Sequence, residues 1–113
     1  METQKRKGDT MRLVILESPY SGEVKRNIKY AKECMRDCFK RNEAPFASHL
    51  LYTLILDDLK TGERKLGTEA GLAWGKKAEA TVVYTDLGIS SGMKYGIENA
   101  EKEGRKIEYR KIL

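Results

Sequence analysis

Two loops of this sequence carry the side chains and glycines from which a ligand site could be built. One is Ser18-Pro19-Tyr20-Ser21-Gly22. The other is Asp86-Leu87-Gly88-Ile89-Ser90-Ser91-Gly92, with Met93 directly after it. Ser18, Ser21, Ser90 and Ser91 bring hydroxyls, while Gly88 and Gly92 let the backbone approach a bound molecule closely. Asp86 suits the hydroxyl of a sugar as a partner, or it organises its own turn. Tyr20 offers a ring to stack on or cover a base. Each loop runs into a helical pattern, and the free N–H groups at a helix start suit a phosphate or a carboxylate. The plain alternative is that the serines cap helices and the glycines serve turn geometry. Neither loop matches a Walker A or a G-x-G-x-x-G fingerprint.

Other candidates lie outside the loops. His49, the single histidine, could bond a ligand or act as an acid. Asp57 and Asp58 are adjacent acids on a segment able to fold over a cleft, or simply solvated. Gly92 and Gly96 are four apart and share a helical face, open to a ligand or to a closely packed helix. Trp74 belongs to an apolar helical face and reads as core or subunit contact. Cys34 and Cys38 share a helical face but are poorly aimed at each other, and with one histidine the neighbourhood lacks the ligands for a metal. No metal and no cofactor is expected.

Something must bring the two loops together. Leu13–Leu16 is a continuous apolar run within Arg12–Glu17, the pattern of a strand buried on both faces. Val24, Ile28, Ala31, Met35 and Cys38 recur at helical spacing through Glu23–Arg41, with Ser21 or Gly22 as the expected cap and Asn42 as the stop. Ala44–Ser48 reads as a short second strand ending beside His49. His49–Lys60 reads as a short helix or an ordered loop, and Glu63–Lys77 as a helix. Ala80–Thr85 is a strand by its β-branched content. Met93, Ile97 and Ala100 define a last helix that Gly104 can end. Lys106–Ile112 alternates apolar and charged residues as an edge strand does.

This β-α-β-(α)-α-β-α-β order predicts a three-layer α/β domain over residues 11–113, Rossmann-like or flavodoxin-like, behind a flexible tail at 1–10. The sheet is small and parallel, of about four strands, with strand order 2-1-3-4 and right-handed crossovers. In such sheets ligands bind beyond the carboxyl ends of the strands, where the order reverses. Here that point lies between the first and third strands, where the two small-residue loops meet.

Composition narrows the setting. The chain has 113 residues, 40% hydrophobic and 35% charged, the make-up of one globular domain rather than a disordered chain. No apolar run is long enough for a membrane span, and the first ten residues lack the apolar stretch of a signal peptide. A cytoplasmic location is the expectation. The net charge of +5 could suit phosphate-bearing partners, yet the basic residues are interspersed with acids, as on a solvated surface.

Taken in order, Ser18-Pro19-Tyr20-Ser21-Gly22, Arg26-Asn27, Ser48-His49-Leu50, Asp57-Asp58, Tyr84 to Met93 and Ile107-Glu108-Tyr109-Arg110 resemble a family of small uncharacterised proteins common in phages and prophages. That family is similar to nucleoside 2-deoxyribosyltransferases. The resemblance implies a nucleoside or nucleotide ligand, with Arg26 among the residues near it, and a chain that is often oligomeric. In those enzymes a glutamate early in the helix after the Asp/Gly loop attacks the anomeric carbon, a task for which a carboxylate is suited. They carry it two or four residues after the loop glycine. Counted from Gly92, those positions hold Lys94 and Gly96, and the nearest glutamate is Glu98, about 200° further round the helix than position 96. Glu69 follows Gly67-Thr68 but at the wrong spacing.

Three readings follow. The first is an enzyme acting on an N-glycosidic bond, with Glu98 or Asp86 as the catalytic carboxylate. The second is a non-catalytic binder that senses or sequesters a signalling nucleotide. The third is a phage-type interaction protein that binds a host protein or nucleic acid. A homodimer or larger homo-oligomer is expected, with no membrane partner.

Overall fold

The computed structural model describes residues 10–113. The expected tail at 1–10 therefore falls, Thr10 apart, outside the described residues. Strand β1 (Arg12–Glu17) leads to α1 (Val24–Lys40), then β2 (Glu43–Phe46). A short α2 (Ser48–Leu51) and a 3₁₀ turn (Tyr52–Leu54) precede α3 (Thr61–Gly75). The chain closes with β3 (Ala80–Tyr84), α4 (Ser91–Lys102) and β4 (Lys106–Arg110). All strand pairs are parallel and the order is β2-β1-β3-β4. The architecture is the α/β fold that the alternation predicts.

The register explains which residues reach the rim. Glu17 lies opposite Val83, and Ile15 opposite Phe46, so the carboxyl ends of β2 and β3 fall within about two residues of that of β1 at one rim. Along β1 the side chains alternate faces. Val14 and Leu16 pack under α1 with Tyr30, Cys34, Cys38, Val82 and Tyr84. Ile15 and Glu17 turn to the other face, which α3 and α4 cover. There Val83, Met93, Ile97 and Ile107 make a second, smaller core. Each fully buried Val or Leu contributes about 1.5–3 kcal/mol. Burial pushes the thiols of Cys34 and Cys38 up to about 12 and about 11, so both stay protonated and inert, with no disulfide.

Local boundaries differ from expectation in instructive ways. The start of α1 has no side-chain cap. Instead buried Asn27 reaches back from the first turn, its Nδ2 donating to the carbonyls of Tyr20 (2.9 Å) and Ser21 (3.1 Å). One amide thereby sets the shape of the whole first loop. Asn42, in the left-handed conformation (φ 60°), stops α1, and Gly104 (φ 68°) follows α4. β2 runs one residue earlier than expected, from Glu43, and stops at Phe46 because Ser48 already opens α2; the Glu43 side chain enters a buried ion pair with Arg110. Trp74 is not core: it is 57% exposed and leans on Phe46, with ring centroids 5.6 Å apart. The reason is that α3 stands off the sheet, and a cavity fills the gap.

Candidate functional site

The cavity lies at the carboxyl rim of β1, between α3, α4 and the segment after β2, with a volume of about 190 Å³. Both small-residue loops line it. From the first come Ser18, Tyr20 and Ser21, and from the second Ser90, Ser91, Gly92 and Met93. His49 and Asp58 line it too. These nine of the residues singled out in the sequence are brought together.

The depth of the cavity comes from glycines on α3. Gly67, Gly71 and Gly75 recur every four residues and all face it. A Cβ at Gly71 would come within 2.8 Å of the Ser48 hydroxyl, so this glycine lets α2 and α3 approach while the cavity stays open beside them. At the far end Arg105 closes the space. Its Nε donates to the Thr81 hydroxyl (2.9 Å) and its Nη1 to the Gly75 carbonyl (2.6 Å).

The polar groups inside are of two kinds. Ser18 Oγ and His49 Nε2 lie 2.7 Å apart. Burial lowers His49 to about 4, so at neutral pH the ring is uncharged. In that state it serves as a hydrogen-bonding group. Ser90 caps α4, its Oγ accepting from the Met93 N–H (3.3 Å). The N–H groups of Ser91 and Gly92, also in that first turn, have no partner among the described residues.

The second kind is a carboxyl that sequence reasoning missed. Glu17, the last residue of β1, faces the cavity across from Gly96. Burial pushes it up to about 8, against a smaller opposing pull from Arg105. No hydrogen bond or ion pair holds it among the described residues. The available signal was a glutamate closing an apolar strand at the predicted rim. Arg64, Thr68, Tyr52 and Tyr95 are further lining residues not anticipated from sequence.

The remaining sequence candidates sit elsewhere. Glu98 is exposed on α4 and does not line the cavity, as its rotation away from position 96 requires. Asp86 also lies outside it. Its Oδ2 accepts from the Tyr30 hydroxyl (2.7 Å) and the Ile112 N–H (2.9 Å), and its Oδ1 from the Leu113 N–H (2.9 Å). Burial pushes that carboxyl up, but these donors outweigh it and hold it below the ordinary range. Asp86 therefore ties down the C-terminus. Asp86→Ala should cost about 2–3 kcal/mol and speed hydrogen exchange at Ile112 and Leu113 well before the sheet amides, as NMR exchange would show. Arg26 is exposed and turns to the Asn27 amide oxygen. Asp57 accepts the Leu59 N–H (2.9 Å) ahead of α3. Pro19, Gly22 and Gly88 shape their turns without lining the cavity, the two glycines at φ 93° and 89°. Among the described residues no group of three or more His, Cys, Asp or Glu could hold a metal ion, and no helix is long and apolar enough to cross a membrane.

A parallel sheet of order 2-1-3-4, with its cleft at the reversal point, is a doubly wound α/β fold. The chain is similar to the solved structure of the 2-deoxyribosyltransferase from the psychrotolerant bacterium Bacillus psychrosaccharolyticus, with a TM-score of 0.64 and 16% identity. The match covers 88% of this chain and 72% of that one. By sequence the chain belongs to the family described as domain of unknown function DUF7768, which matches residues 12–110. No curated protein matches it.

Proposed function

We propose that the cavity takes a nucleoside or nucleotide, and that the protein cleaves or transfers at its N-glycosidic bond. The observation that carries this reading is the meeting of the two small-residue loops around one cavity at the strand-order reversal of this fold. The lining suits the ligand. Tyr20, Tyr52 and Tyr95 offer ring faces for a base. The Ser18–His49 pair offers neutral hydrogen bonding for a sugar hydroxyl or a base edge. The open N–H groups of Ser91 and Gly92, with Arg64 on the opposite wall, favour an anionic end such as a phosphate. A shallower groove that shares Arg64, Thr68, Ser91, Gly92 and Tyr95 leads outward from the cavity and gives such a group room.

The second reading, a binder that senses or sequesters a nucleotide, is favoured by one finding: neither Glu98 nor Asp86 lines the cavity. A homo-oligomer belongs to the proposal as well, because Leu54, Ile55 and Leu59 expose large apolar side chains beside the site.

Thermal melting with 2′-deoxynucleosides and their 5′-monophosphates tests the proposal. The melting temperature should rise with ligand as RT ln(1 + [L]/Kd), and chromatography should detect free base. Ser18→Ala and His49→Ala should each weaken binding by roughly 10-fold or more, from a lost hydrogen bond in a buried site. No shift with any of these ligands would refute the reading.

A further inference from the structure

We propose that Glu17 is the catalytic carboxyl of this cavity and donates a proton to the leaving base as the glycosidic bond breaks. This rests on the nucleoside reading above.

Three observations support it. The first is room. Position 96 on α4 is glycine, and a Cβ there would overlap the Glu17 carboxylate, at 2.6 Å from Cδ and 3.0 Å from Oε1. The strand side chain thus occupies the space that any helix side chain at 96 would need. The second is freedom. The other shielded carboxylates are already engaged: Glu43 and Glu108 by Arg12 and Arg110, Asp37 by Arg41 and Tyr84, and Asp86 by Tyr30 and two amides. Glu17 makes no hydrogen bond and no ion pair among the described residues, feels only the longer-range pull of Arg105, and lines a cavity. Glu17 is half-buried, and a carboxyl partly shielded in a cavity without a hydrogen-bond partner in the protein is the kind of group that gathers at functional sites. The third is its protonation. Burial holds the carboxyl at about 8, so at neutral pH it carries the proton that a departing base needs.

The step balances with water as the only co-substrate. The Glu17 carboxylic acid gives its proton to a ring nitrogen of the base. The C1′–N bond breaks and its electron pair leaves with the base. Water adds to C1′ on the vacated face and passes a proton to the Glu17 carboxylate, which restores the acid. The products are free base and free sugar.

The test measures base release and melting shift together, with 2′-deoxyadenosine and 2′-deoxyadenosine 5′-monophosphate as probes. Glu17→Gln should keep the ligand-induced shift and lose roughly 100-fold or more in base release. Gly96→Ala, which must push the carboxyl aside, should lose roughly 10-fold or more with the chain still folded. If the wild-type chain shows neither shift nor release, the nucleoside reading fails and the assignment with it. If the wild-type chain binds without releasing base, the binding reading stands and Glu17 as a catalytic residue is overturned. Release by Glu17→Gln within about 3-fold of wild type would also overturn it, as would a sugar ester trapped on Glu17.

Discussion

Arg110→Met should cost about 3–5 kcal/mol of folding stability, the largest loss expected from any single polar substitution in this domain. Arg110 is 7% exposed at the end of β4. Its Nη1 and Nη2 donate to the two oxygens of Glu43 at 2.8 and 2.7 Å. Nη2 also reaches Glu108 (2.8 Å), and Nη1 the Tyr84 hydroxyl (3.0 Å). Burial works against the charge, but these partners raise the pKa of the guanidinium nonetheless. Glu43 is itself only 3% exposed. Remove the arginine, and a buried carboxylate is left at the start of β2 with Arg12, at 3.2 Å, as its remaining ion-pair partner. For a chain of this size the loss corresponds to a melting temperature lower by roughly 10–20 °C. The double variant Glu43→Leu with Arg110→Met should recover most of it, because an apolar pair of similar volume needs no desolvated charge. Calorimetry on the two single variants and the double variant checks the point. A double variant no more stable than Arg110→Met would mean that the cost was lost packing and not an orphaned charge.

Glu17→Gln should make the protein more stable, and only above acid pH. The carboxyl titrates near its ordinary 4.5 in the unfolded chain and at about 8 in the folded one. Below the lower value both states are protonated and the substitution is neutral. Between the two, the unfolded chain ionises while the folded one resists, so folding loses stability steadily as pH rises. Above about 8 both are ionised and the penalty is complete. Allowing for solvent entering the cavity, the gain from glutamine is about 2–4 kcal/mol in the alkaline range. Denaturant melts near pH 4 and near pH 9 should show no difference at the first and the full gain at the second. Together with the expected loss of base release, that result would mark a residue kept for reactivity at the expense of stability.

The fold was legible because its signals are local and agree with each other. The unbroken apolar run of β1 and the β-branched β3 announced a buried parallel sheet, and the intervening helices determined its order. Asn42 and Gly104 marked helix ends through the one backbone region that most residues avoid. The cavity was legible as a place, from the reversal of strand order, but less so in its chemistry. Asp86 had the right position along the chain. Its fate depended on Tyr30 and on the C-terminal amides, contacts far apart in sequence. The search for a carboxylate followed α4 to Glu98, whereas the group in the cavity comes from the neighbouring strand and is admitted by a glycine on that same helix. Such an exchange between facing elements leaves no periodic trace. Nor did periodicity show that α3 stands clear of the sheet, because its glycines weaken the amphipathic pattern that would have aimed it.

Those same glycines bear on how a molecule enters. Four of the fifteen residues of α3 are glycine, each about 1 kcal/mol less favourable in a helix than alanine. The wall of the chamber is therefore also its weakest element. It is the element placed to loosen first while the strands and α1 keep their hydrogen bonds, so the chamber can widen on that side to suit a guest without any change in the sheet.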